Sequence, residues 1–155
     1  MRFILTLILA VSLIGCGNKH TQAVSDDQIM AVYHKLIVAN NLPELKEVII
    51  ESKDQTINAS VQYADNTITL NQGMLDVIQN EDEMAMVIGH ELAHRTMGHS
   101  ADVYNAELKA DKLGLEYAVK AGYDKCKAAQ QLWHLEGGGD HPYPEVRYAA
   151  TGCPK

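Results

Sequence analysis

The sequence predicts a mostly helical α+β fold in which a small antiparallel sheet packs beside the helix that carries His90 to His94. Three observations predict it. Apolar residues recur at helical spacing in several stretches, two short segments alternate apolar with polar residues, and Gly, Pro and Asn fall between these segments. At 155 residues, with 46% hydrophobic and 21% charged side chains, the chain has the composition of one ordinary globular domain.

The N-terminus reads as an address. Met1-Arg2 is a short positive start, and Phe3 to Ile14 is apolar except for Thr6 and Ser12. Twelve helical residues at about 1.5 Å each cannot cross a hydrocarbon core of about 30 Å, so residues 1–15 read as a signal peptide. Leu13-Ile14-Gly15-Cys16 resembles the lipobox of bacterial lipoproteins. That resemblance implies cleavage before Cys16, acylation of Cys16 and a membrane anchor in the cell envelope. With Gly17 rather than Asp after the cysteine, it implies the outer membrane, facing the periplasm, where the source has one. Residues 16–24 read as a lipidated tether and 25–155 as the folded domain. The net charge is −7, and losing Arg2 makes it −8. That balance argues against nucleic acid as a partner, because phosphate binding needs a basic patch.

Ser25 with Gln28 forms a capping box, and Ile29, Val32, Tyr33, Leu36 and Ile37 follow at helical spacing. This helix is expected to end near Ala39, before Asn40, Asn41 and Pro43. Val48-Ile49-Ile50 is an expected strand. Ile57, Ala59, Val61 and Tyr63 alternate with polar residues, Ala64-Asp65-Asn66 is an expected turn, and Ile68 and Leu70 continue the alternation. The pattern turns helical from Gln72. Asn80 with Glu83 caps a helix through Met84, Val87, Ile88 and Leu92. Another helix is expected over about Val103 to Ala121, with Gly122 as a left-handed cap, and a further one over about Asp124 to Leu135. Gly137-Gly138-Gly139 then breaks the chain.

His90-Glu91-Leu92-Ala93-His94 is an H-E-x-x-H pattern inside a predicted helix. Residues four apart share a face, so both imidazoles can reach one Zn²⁺, and Glu91, one residue round, lies beside it as a general base. His99 fails as a third ligand. It sits five residues after His94 with Met97 where the metzincin pattern needs glycine, and it lies about 140° round the helix from His94. Glu107 is the better third ligand. Asp111 is one turn further along the same helix face and can orient an imaginable ligand histidine from behind.

The segments Gly89 to His94, Glu107-x-x-x-Asp111-x-x-Gly114 and Ala121-Gly122-Tyr123-Asp124 resemble the gluzincin peptidases that include the CAAX prenyl protease, HtpX and the envelope lipoprotein peptidases, peptidase family forty-eight. The resemblance runs from Asn58-Ala59 to His141-Pro142 and Arg147. It implies a zincin-like fold and a zinc metalloendopeptidase with one Zn²⁺ per chain held by His90, His94 and Glu107. It further implies that His141 is catalytic, either stabilising the oxyanion or closing the open coordination site, with Arg147 in support. Asn58, Ala59 and Ser60 would form the edge that an extended polypeptide substrate joins by β-augmentation. Two departures stand out. The thirteen-residue step from His94 to Glu107 is short for the family, and Ser60 to Asp65 replaces its glycine-rich segment.

Once Cys16 is lipidated, Cys126 and Cys153 remain, and outside the cytoplasm an even pair suggests a disulfide, with two free thiols as the alternative. The function expected from these features is a membrane-anchored peptidase acting on misfolded or unassembled proteins. The competing function is a chaperone-like assembly factor that binds extended segments with little cleavage. The presence of Glu91 argues against it, since a binder needs no carboxylate beside the metal.

Overall fold

The computed structural model describes residues 22–98, 100–139 and 141–154. The expected signal peptide, Cys16, the tether up to residue 21 and His99 lie outside the described residues. Among these described residues, six α-helices and three strands follow in the order α1 (Asp26–Asn40), β1 (Glu47–Glu51), β2 (Ala59–Gln62), β3 (Thr67–Asn71), α2 (Gln72–Val77), α3 (Glu81–Met97), α4 (Val103–Lys120), α5 (Lys125–Ala129) and α6 (Pro144–Thr151), with a 3₁₀ turn over Gln130–His134 after α5. The chain is thus mostly helical with one small sheet, as its periodicity predicts. Among the described residues no helix is long and apolar enough to cross a membrane.

The predicted caps form. Ser25 and Gln28 exchange hydrogen bonds as a capping box at the start of α1. Asn80 accepts from the Glu83 N–H at 3.0 Å to start α3. α4 ends in a Schellman motif, with Tyr123 N–H donating to Ala118 C=O and Gly122 N–H to Val119 C=O. Gly122 takes φ +86° there, which a side chain would strain. The fourth expected helix is split into α5 and the 3₁₀ turn, and α6 is an element that the periodicity did not announce.

The sheet corrects the antiparallel expectation for one of its two pairs. β2 and β3 form the expected hairpin, but the strand order is β1-β3-β2 and β1 runs parallel to β3. The reason is burial. Thr67, Ile68, Leu70 and Asn71 are all buried, whereas alternate residues of β1 are exposed. A strand buried on both faces belongs in the middle, so β3 takes the centre and β1 must join its far edge. β2 is left as the edge strand facing α3.

α3 is the central helix. Ten of its residues, from Glu83 to Ala93, are buried, and α1, α4, α5 and β2 surround it. It meets α4 where Gly89 and Gly114 face one another. A Cβ on Gly89 would lie 2.7 Å from the Gly114 carbonyl oxygen, and one on Gly114 would lie 2.7 Å from the His90 nitrogen. Only a pair of glycines permits this approach, and it brings the His90 and Asp111 side chains within reach. Ile29, Leu36, Ile68, Leu70 and Ile88 fill the main core beneath. A smaller core of Met86, Leu115, Leu132 and Tyr148 lies under α5 and α6.

Cys126 on α5 and Cys153 after α6 are joined by a disulfide across a 27-residue separation. Reducing it without denaturant is expected to lower unfolding free energy by about 3–4 kcal/mol on the loop-entropy relation, measurable by urea titration with and without reductant. Gly89→Ala is expected to cost about 1–3 kcal/mol through overpacking, read from the same titration, because α3 and α4 must separate to admit the methyl group.

Candidate metal centre

Neighbouring turns of α3 and α4 present two imidazoles and one carboxylate to one point. His90 and His94 stand one turn apart on α3 with their Nε2 atoms 3.0 Å from each other. Glu107 on α4 brings Oε1 to 3.1 Å from His94 Nε2 and Oε2 to 3.6 Å from His90 Nε2. These three side chains form the metal-capable group among the described residues. Ligands about 2.05 Å from a tetrahedral ion are separated by about 3.3 Å, and the spacings of 3.0, 3.1 and 3.6 Å, the last two to different oxygens of Glu107, are of that order.

The chemistry of the donors agrees with the spacing. His90 Nδ1 lies 2.9 Å from Asp111 Oδ1, so with the ring donating there its Nε2 keeps a lone pair aimed inward. Arg147 donates from Nε to Asp111 Oδ2 at 2.7 Å and from a terminal nitrogen to Oδ1 at 2.6 Å. The same guanidinium lies 3.3 Å from Glu107 Oε2. Burial pushes the Asp111 carboxyl upward, but hydrogen bonds from Arg147 and His90 outweigh it and hold the group below the usual carboxylate range. Glu107 is held low in the same way, with burial outweighed by the bond to His94 and the charges nearby. Both carboxylates are therefore anions, one available as a ligand and the other as an anchor for His90.

Glu91 is set apart from the ligands. It is buried, and desolvation raises its carboxyl above the ordinary value, with Glu107 adding repulsion. The Val61 N–H of β2 donates to it. This bond also shows how β2 is oriented. Asn71 N–H donates to Asn58 C=O, so the register pairs Asn58, Ser60 and Gln62 with β3 through backbone bonds. Ala59 and Val61 then turn their backbone groups to the open edge, where Val61 meets Glu91. Asn58 and Ala59 line the cleft beside the centre, while Ser60, opposite Thr69, does not.

That cleft has a volume of about 550 Å³. His90, Glu91, Glu107, Arg147 and His141 lie along it. His141 is exposed on the rim, where its backbone exchanges hydrogen bonds with Gly138. The structure thus brings together His90, Glu91, His94, Glu107, Asp111 and Arg147 as one network and puts His141 and Asn58 around its mouth.

Three contributions have no signal in the sequence pattern. The Tyr63 hydroxyl donates to the His94 carbonyl at 2.8 Å, and Arg95 Nε donates to Asn66 at 3.0 Å. Both bolt the β2–β3 turn to α3. Gln131 and Glu136 join the cleft wall from the segment after α5. Each contact depends on how distant segments meet, which local periodicity does not encode.

Arg147→Met is expected to weaken zinc binding about 10- to 100-fold, because it leaves Asp111 without the partner that fixes His90. Competition titration against a chromophoric chelator measures it, and an unchanged affinity would show that Arg147 does not support the ligands.

The family model described as peptidase family M48 matches residues 23–104, more than half of the chain and all of α1 to α3. No curated protein and no solved structure gives a significant match.

Proposed function

The chain belongs to peptidase family M48, and from that premise we propose that it is a zinc metalloendopeptidase cleaving extended segments of misfolded or unassembled proteins. We propose further that a lipid on Cys16 holds it at the cell envelope, at the outer membrane facing the periplasm in a two-membrane cell. The observation that carries the catalytic reading is the convergence of His90, His94 and Glu107 with the Glu91 carboxylate beside them in the cleft. Two imidazoles and one carboxylate make a three-ligand site of the kind that leaves a fourth position for water. Zinc bound there supplies Lewis acidity and a water that loses its proton near neutral pH.

The chain's own groups supply the remaining chemistry. Glu91 takes the proton of the attacking water and returns it to the leaving amine. Its buried carboxyl, raised above the ordinary range, suits a group that must both accept and donate near neutral pH. Val61 N–H fixes the direction in which that carboxylate points. Asp111 and Arg147 fix His90, and Arg147 steadies Glu107. We assign to His141, which lines the same cleft, the role of donor to the oxyanion of the tetrahedral intermediate. The backbone of Ala59 on the open edge of β2 offers one donor and one acceptor to an extended substrate.

Glu91→Gln is the test. The variant is expected to retain one zinc per chain by elemental analysis while its cleavage of unfolded casein falls about 100- to 10,000-fold. Full proteolysis by that variant would sink the mechanism. A zinc-loaded wild-type chain that binds casein without cutting it would instead favour the chaperone-like function.

A further inference from the structure

The cleft carries a chemical preference of its own beyond the ligands and the base. Its floor is apolar and adaptable. Met86 and Val87, one turn back along α3 from His90, line it together with Met74, Leu132 and Leu135. Met74 also accepts a 3.3 Å hydrogen bond from the Gln131 amide, which lines the cleft as well. Thioether side chains have three soft torsions and polarisable sulfur, so such a floor fits apolar groups of several shapes.

The charges of the cleft are unequal in their commitments. Arg147 is engaged by Asp111 and Glu107. With a divalent cation on His90, His94 and Glu107, the ion and Arg147 together offset Glu91, Glu107 and Asp111. Among the described residues, Glu136 is then the one Asp, Glu, Lys or Arg side chain lining the cleft whose charge is not compensated within it. It is exposed and lines the cleft directly before the Gly137–Gly139 break. None of the hydrogen bonds or ion pairs among the described residues involves it.

We propose that Glu136 is a specificity determinant, and that the cleft selects extended polypeptides in which an apolar side chain on the methionine floor has a lysine or arginine close to it in sequence. The inference rests on the peptidase reading of this cleft and names its substrate class. An unfolded segment offers both groups together where a hydrophobic stretch ends in a basic residue. The apolar group gains from leaving water, and the cation gains from Glu136 at a rim where salt can screen it.

The full chain carrying Glu91→Gln is mixed with fluorescent nonapeptides that hold a central leucine and a single Lys, Gln or Glu at successive positions. Anisotropy gives each affinity at low and high salt. At one or two adjacent positions Lys is expected to bind about three- to fivefold tighter than Glu, the range of an exposed ion pair, and the difference should shrink in high salt. Adding Glu136→Gln should flatten the preference, and Glu136→Lys should reverse it. A preference of equal size at every position would report only the net negative charge of the chain and would overturn the assignment. So would a preference that survives Glu136→Gln. Wild-type cleavage of all the peptides alike overturns the selector and leaves the peptidase reading standing. A local Lys preference in binding, with no cleavage by the wild type, supports the selector and counts against the peptidase reading.

Discussion

Asp111 stands on α4, accepts two hydrogen bonds from Arg147 on α6 and lies 2.9 Å from His90 on α3. One buried carboxylate therefore ties three helices and fixes the ring of His90 at the same time. A carboxylate removed from water is tolerable only when it is fully paired, and losing one partner of such a set costs about 3–5 kcal/mol. Folding and assembly of the metal centre are in this sense one event. The network exists only if α6 docks, and α6 docks against α4 through the same guanidinium that reaches Glu107.

Other features of the fold serve that arrangement. The Gly89–Gly114 crossing lets α3 and α4 come close enough for ligands on both to converge. The disulfide holds the end of α6 to α5, helped by Lys125 donating to Thr151 C=O and by Tyr148 bonding Gln130 and Pro154. On the opposite side the turn after β2 is pinned to α3 at His94 and Arg95. α3 is thus clamped from both flanks, which is how a small domain can keep the side chains of the candidate centre in fixed relation without a large core around them.

The side chains that converge at the candidate metal centre were legible because their spacing is local. H-E-x-x-H and Glu107 with Asp111 are both spaced by one helical turn, and a helix converts that spacing directly into a shared face. The caps at Ser25, Asn80 and Gly122 were legible for the same reason. The parallel β1–β3 pair was not, because consecutive alternating segments fit a meander equally well and only the two-sided burial of β3 decides between them. α6 carried its own punctuation, with Pro144 at its first turn and Gly152 at φ +72° after its last. At eight residues it is too short for periodicity to stand out. Glu136 and Tyr63 matter only through distant segments, so nothing near them in sequence marks them.

The edge strand β2 has four residues, and its Val61 N–H is already spent on Glu91. A chain joining that edge finds a ladder of only a rung or two. Few bonds must break for it to leave, so dwell time is brief and the dissociation rate high. Under the proposed function, such an edge would release a bound segment quickly, which would suit repeated turnover better than long-term holding. The short strand also leaves little open edge for a second copy of the folded chain to extend, which limits self-association through β2.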